Sequence, residues 1–431
     1  MTVREQAHRG TWTMEQRAEA VLRELPFELP PGTGALSVTL SYERRAGVLD
    51  LGLLGPDGEF RGWSGGARDT FTVTEEWATP GYLPGPLTPG TWRVLMRLHR
   101  VPPQGLAYEL RAKTLAGPAP SPPDEALPTP VPATSRRPRR ALPPLNGAGD
   151  VNGAGDVNGP GGADGARWFA GDLHAHTLHS DGSLTLDELA RRAAAEGLDF
   201  LAVTDHNTTS HHPWLPAASA RQGITLLPGQ EVTTDLGHAN VFGDTGWIDF
   251  RAPAGEWLAQ AEAGGGVLSV NHPLADDCAW ELPFAGPRPR HAEIWHHSWT
   301  DRRHGAPLAW ARAWSGDRDD VIPLGGSDFH RPDDGRPLGA PTTWILAESA
   351  EVPALLDGLR AGRTAVSAGP DAGALLLRYG DEVLALEADG TVLVRPDGGR
   401  TVVRGGCVRL PAGEGPHRLE TSACEVLALC T

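Results

Sequence analysis

Cysteine is scarce in this chain. The four residues, Cys278, Cys407, Cys424 and Cys430, lie far apart and form no CxxC pair, so neither a disulfide framework nor a thiolate zinc site is indicated. Long apolar runs are missing as well. Nothing approaches the roughly 20 residues that a membrane span needs, and the opening MTVREQAHRGTWTMEQRAEAVLREL has no apolar leader core. Positive charge is in short supply: 38 Lys plus Arg stand against 54 Asp plus Glu, a net charge of -16. That balance excludes a surface built to neutralise nucleic-acid phosphates or to lie on an anionic membrane. These absences predict a soluble, cytoplasmic protein with reduced cysteines and neither a nucleic-acid nor a membrane partner. Its substrate is expected to be a small molecule.

At 431 residues the chain exceeds one ordinary domain. Residues 1–116 are expected to form a β-sandwich, because ALSVTLSY, VLDLGLLG, TFTVTEEW, TWRVLMRLHR and AYELRAKTL alternate with period two between Gly, Pro and Asp turns. Residues 117–166 combine a Pro-rich tract, the basic RRPRR and a repeated NGAGDV unit. None of these can bury apolar surface, so this stretch is expected to be a flexible linker. From 167 to 370 strands alternate with helical segments, the texture of a parallel α/β sheet or barrel. Helices are expected at LDELARRAAAE, GEWLAQAEA, PLAWARAWS and EVPALLDGLRAG. Residues 371–431 read as a small β extension.

Thirteen of the sixteen histidines fall between His174 and His330. His174, His176, His206, Glu231, His272, Asp328 and His330 stand at the C-terminal ends of expected strands, the edge at which barrels of this kind converge their loops. Imidazole and carboxylate together bind first-row divalent metals. The i, i+2 pair His174 and His176 projects from one side of an extended strand end, and Asp181 follows after a short turn. Asp172 and Asp205, just ahead of ligand histidines, are candidates to orient imidazoles or else ordinary strand-end aspartates. Trp295 and its aromatic neighbours are candidates for a pocket wall or for core. Arg331, Arg336 and Arg363 are candidates to receive a phosphate oxygen.

HAHTLHSDG, TDH, GQE, NHP and SDFH, in that order, resemble the successive motifs of the PHP (polymerase and histidinol phosphatase) metal-dependent phosphoesterases. GQEVTT, GHANVFG and LRAGRTAVSAGP are most similar to the CehA/McbA-like branch. The resemblance implies a distorted (β/α)7 barrel holding two or three Zn, Mn or Fe ions. It implies His174, His176, Glu231 and Asp328 as ligands of a first metal, with Glu231 reaching to a second. Asp181, His206 and His330 would complete another site, and His272 a third where one is present. Asp181 stands where many relatives carry histidine.

The implied activity is ester hydrolysis by a metal-bound hydroxide, with His238 or Asp328 passing the leaving-group proton and Arg331, Arg363 and Trp295 receiving the substrate. A small phosphate ester is the expected substrate. A carboxylic or carbamic aryl ester is the alternative, and a non-catalytic protein binding through the β-sandwich is a third reading. The residues leave the oligomeric state open.

Overall fold

The computed structural model describes residues 3–123, 129–138, 142, 165–275, 278–316 and 320–431; the NGAGDV repeats lie outside them. The chain divides into two compact units. One comprises Met1–Pro130 with His176–Leu186 and Asp205–Trp214, and the other Val131–Ala175, Asp187–Thr204 and Leu215–Thr431.

The smaller unit is built on two antiparallel four-stranded sheets. Strands Val3–Trp12, Leu106–Ala116, Thr33–Tyr42 and Thr70–Thr74 form the first in that order, and Leu22–Leu29, Gly90–Arg100, Val48–Leu54 and Phe60–Gly65 the second. Alternation decides which faces meet: Leu36, Val38 and Leu40 are buried, whereas Ser37 and Thr39 between them are not. Residues of both sheets, among them Leu36, Val38, Phe71, Leu51, Trp92 and Met96, share one core. Each fully buried Leu or Val there contributes about 1.5–3 kcal/mol. The strand Val3–Trp12 escapes the alternation rule because it is an edge strand in which only Trp12 is buried. Its polar sequence gives no periodic signal.

The larger unit carries a 13-stranded sheet. Arg167–Asp172, Phe200–Val203 and Thr225–Thr234 are parallel neighbours, as are Val267–Val270, His291–His296 and Ile322–Gly326. Between these groups Gly237–Phe242 runs antiparallel to both sides. Strand-helix alternation predicts parallel neighbours throughout, but only Asp235 and Leu236 separate Thr234 from Gly237, far too few for a crossover. The result is mixed α/β. The four expected helices form, at Leu186–Ala195, Ala254–Ala263, Ala306–Ser315 and Val352–Arg360. A fifth, Leu215–Gln222, was not expected: its LPAASARQ sequence buries only Leu215, Ala218 and Gln222 and has little apolar stripe. The C-terminal strands also continue the large sheet, since Val426–Cys430 pairs with Thr364–Ser367.

Strand Ile322–Gly326 has a ladder partner on one side and side-chain bonds on the other. The Thr343 hydroxyl accepts from Gly325 N at 2.8 Å and donates to Gly325 O at 2.7 Å, and the Thr364 hydroxyl donates to Pro323 O at 3.3 Å. Asp172 continues this join. Its carboxylate accepts from Ser327 N, the Ser327 hydroxyl, His174 N and Gly339 N.

The basic RRPRR run is tied down where it is described. Arg136 donates to Leu198 O and the Asp199 carboxylate, Arg137 pairs with Asp371, and Gln222 donates to Val131 O. Val131, Arg136 and Arg137, within the stretch expected to be a linker, thus have bonded partners in the larger unit.

Buried histidines make this unit acid-sensitive. His291 bonds Leu359 O through Nε2 at 2.8 Å, and burial pushes its pKa down to about 4. Above pH 6.5 both folded and unfolded imidazoles are neutral, so the group has no effect. As pH falls from 6.5 towards 4 the unfolded chain takes up a proton that the folded one refuses, and stability is lost, by about 2 kcal/mol at pH 5. In urea melts at pH 7 and pH 5, His291→Gln is expected to lose less stability than the parent. Equal losses would refute the assignment.

Candidate metal centre

In the larger unit the site is built on strand ends. His174 lies two residues past Arg167–Asp172, His272 two past Val267–Val270, and Asp328 two past Ile322–Gly326. Glu231 is instead inside Thr225–Thr234, and His238 is the second residue of the antiparallel Gly237–Phe242. His272 and Asp328 adopt positive φ angles of 23° and 51°, a conformation that costs of order 1–3 kcal/mol for a non-glycine residue and that clusters at functional sites.

His174, Glu231 and His272 are buried and bring their ligand atoms within 4.8 Å of one another. The Nε2 of His174 lies 3.3 Å from Glu231 Oε1 and 3.3 Å from Asp328 Oδ1. Glu231 Oε1 also lies 3.4 Å from His272 Nε2 and 3.1 Å from His238 Nδ1, and accepts from Asn271 Nδ2 at 2.9 Å. On its other side the His174 ring meets Glu293, with Nδ1 3.1 Å from Oε1. Glu293 Oε2 accepts in turn from His272 N at 3.0 Å.

Gly326 makes that pair fit, because a Cβ there would stand 2.2 Å from Glu293 Oε1 and 2.5 Å from His174 Cβ. His296 Nε2 is 3.5 Å from Asp328 Oδ2, and Arg336 Nη1 is 3.9 Å from the same oxygen. A second group joins His238, His272 and Cys278, whose sulfur is 3.6 Å from His272 Nδ1.

The electrostatics favour a cation. With Nδ1 donating to Glu293, the His174 Nε2 lone pair faces two carboxylates, a repulsive arrangement unless a proton or a metal ion lies among them. Burial alone would push the pKa of His174 down, but Glu231, Glu293 and Asp328 outweigh it and hold it well above the usual histidine range. His272 behaves alike: burial is opposed by Cys278, Glu231 and Glu293, and its pKa is raised. Burial would raise the pKa of Glu293, yet the imidazoles of His174, His296 and His272 keep it low. Imidazole nitrogens and carboxylate oxygens suit Zn, Mn or Fe, so the donor set fits the implied ions.

The smaller unit holds the remaining histidine pair. The rings of His176 and His206 stack with centroids 4.4 Å apart, and His206 Nε2 lies 3.6 Å from Asp181 Oδ1. In the same unit Asp205 holds the neighbouring loops. Its carboxylate accepts from Thr177 N at 2.8 Å, the Thr177 hydroxyl at 2.6 Å and the Ser180 hydroxyl at 2.6 Å, and lies 3.2 Å from His211 Nδ1. Thus both strand-end aspartates hold backbone and loops in place. The imidazole-orienting carboxylate is Glu293.

Residues 172–270 match the PHP domain family. They form a PHP domain. Over 70 residues the chain is 46% identical to a 3',5'-nucleoside bisphosphate phosphatase of Chromobacterium violaceum, covering 16% of this chain and 25% of that protein. Over 65 residues it is 43% identical to the 5'-3' exoribonuclease Rnm of Salmonella typhimurium, covering 15% and 22%. The match thus spans about a quarter of these relatives' length. A two-domain protein from Bacteroides vulgatus, containing a predicted PHP-like metal-dependent phosphoesterase, superposes with a TM-score of 0.38 at 15% identity, covering 62% of this chain and 88% of that one.

Three substrate candidates fare differently around the PHP domain. Trp295 is buried in a core cluster with Val270, Ile294, Trp299 and Val366 and carries Arg302 over its ring, so it packs rather than faces a ligand. Arg363 donates to Leu346 O and lines a cavity of about 610 Å³ with Trp168, Arg290, Asp320 and Arg378. Arg290 and Asp320 precede their strands, which puts this cavity at the end of the sheet away from His174 and Asp328. Arg331 is exposed and lies 3.6 Å from Asp334. His330 lies beyond Asp328, its Nδ1 2.9 Å from the Asp328 carbonyl. The sequence reading missed Glu293, Asn271 and Cys278 as site residues. Glu293 had one usable signal, as the lone acidic residue in the otherwise apolar and histidine strand HAEIWH.

Proposed function

We propose that the protein is a metal-dependent phosphoesterase that cleaves a small phosphate ester, working in the cytoplasm with two or three Zn, Mn or Fe ions. The observation that carries this reading is His174, fixed by Glu293 through one ring nitrogen and presenting the other to Glu231 and Asp328. His174, His176, Glu231 and Asp328 would hold one ion, Asp181, His206 and His330 another, and His272 with Glu231 a third. Bound there, such ions acidify water and stabilise charge developing on the ester. His238 is placed to move a proton, since its Nδ1 is anchored 3.1 Å from Glu231 Oε1. Arg336, rather than Arg363, is the arginine near Asp328 for a phosphate oxygen.

The relatives named for nucleoside bisphosphate and RNA cleavage favour phosphorus over a carboxylic or carbamic ester. The net charge of -16 favours the small substrate over the polymer, and four free cysteines suit a reducing compartment. The fold that goes with this reading is a distorted (β/α)7 barrel joined at Asp172, Thr343 and Thr364, with a β-sandwich before it. No helix among the described residues is long and apolar enough to cross a membrane.

Elemental analysis of purified protein, followed by a panel of aryl phosphates, nucleoside bisphosphates, short RNA, aryl acetates and aryl carbamates, tests the proposal. Bound metal with turnover of the small phosphate esters is expected. Metal-free protein after incubation with Mn, Zn and Fe, or turnover confined to acetates and carbamates, would overturn it.

A further inference from the structure

The two segments that carry His176, Asp181 and His206 belong to the same compact unit as the N-terminal sheets, and specific bonds explain why. Arg68, just before the strand Thr70–Thr74, donates to the carbonyl of Leu178 at 2.8 Å. That carbonyl sits between His176 and Asp181 in the sequence. Gly81, in the turn after the same strand, bonds through both of its backbone groups. Its N–H donates to the Ser210 hydroxyl at 3.0 Å, and its carbonyl accepts from the Thr208 hydroxyl at 2.9 Å. Thr208 and Ser210 follow His206 by two and four residues and are buried. The Ser210 oxygen also meets His179 Nδ1 at 2.8 Å, so one hydroxyl ties both ligand-bearing loops to one glycine.

The approach at Gly81 is close. Its φ is 98°, and a Cβ would stand 2.6 Å from Trp63 O and 2.9 Å from His179 O, so only glycine lets the turn reach the loop. Behind this contact Asp205 cross-links the loops through Thr177 and Ser180. The sheets thus hold the loops by hydrogen bonds to backbone and hydroxyl groups, which fix position without using the imidazoles or the Asp181 carboxylate.

We propose that Arg68, Gly81, Thr208 and Ser210 are positioning residues for the His176, Asp181 and His206 group, and that the N-terminal sheets act as a scaffold which sets the affinity of one metal ion. The inference rests on the metal-centre reading above. It assigns the N-terminal region a part in the hydrolase rather than a separate binding activity. Ligands held loosely must be ordered when the ion binds, and that cost appears as lost affinity; removing outer contacts of this kind lowers metal affinity by about 10- to 100-fold.

The test uses the full chain loaded with Mn or with Zn, dialysed against graded chelator, with metal per chain read by elemental analysis. In Thr208→Val and Ser210→Ala, one ion is expected to leave at about 10- to 100-fold lower chelator strength than in the parent, while the rest of the metal is retained. Thr208→Ser, which restores the hydroxyl, is expected to restore the parental profile. If Thr208→Val does not fold, Arg68→Gln carries the same measurement. Chelator profiles identical to the parent, or a loss that Thr208→Ser fails to rescue, would overturn the inference. A parent chain that takes up no metal overturns the phosphoesterase reading itself, whereas a loaded parent with unaltered variants overturns the scaffold alone.

Discussion

His174→Ala is expected to lower turnover of the phosphate ester by about 10³-fold and to remove metal from the protein. The imidazole is central because three carboxylates meet it: Glu231 and Asp328 at Nε2, Glu293 at Nδ1. Losing the ligand forfeits several kcal/mol of electrophilic stabilisation, and about 4 kcal/mol corresponds to three orders of magnitude in rate. Glu293→Gln grades the same argument. Its amide oxygen can still accept from Nδ1, but the charge that raises the basicity of the ring is gone, so a smaller loss of about 10- to 100-fold in metal affinity is expected. Circular dichroism should remain parental in both variants, since the strand Arg167–Asp172 keeps both of its ladder neighbours. Parental turnover in His174→Ala would show that the ligand assignment is wrong.

The second large effect is on stability. Asp172→Ala is expected to destabilise the larger unit by about 4 kcal/mol, seen as a fall of about 10 °C in Tm. Asp172 is fully buried and accepts four hydrogen bonds, from three backbone N–H groups and the Ser327 hydroxyl. Burial pushes its pKa up against those donors, which marks the desolvation that the bonds must offset. Alanine leaves buried donors without an acceptor, each costing about 1–3 kcal/mol. Because those donors come from Ser327, Gly339 and His174, the loss falls where the strand Ile322–Gly326 lacks a second ladder partner. A Tm within about 2 °C of the parent would mean that the Thr343 and Thr364 hydroxyls hold that join without help.

Much of the candidate centre was legible because its histidines and carboxylates come in short motifs. HAHTLHSDG, TDH, NHP and SDFH each place a histidine or carboxylate just past a strand end, GQE places one within a strand, and the strands themselves follow from runs of buried Val, Leu and Ile. Glu231 and His238 show the limit of that rule, since they sit inside paired strands rather than at strand ends. The helix Leu215–Gln222 and the edge strand Val3–Trp12 were illegible for a related reason. Elements that bury few side chains leave little periodicity to read.

By itself, then, the sequence determined that histidines and carboxylates would gather after successive strands, because residue type and strand periodicity are local properties. The tertiary structure decided what those groups touch. The partner of His174 Nδ1 is 119 residues away in Glu293, the donors to Asp172 arrive from 155 and 167 residues away, and Ser210 meets Gly81 across 129. Hydrophobic patterning specifies burial, and it is indifferent to which polar group meets which. That choice is made only when packing brings distant segments within hydrogen-bonding reach, and here it set Glu293 beside His174, Asp172 at the strand join and Arg363 at the far end of the sheet.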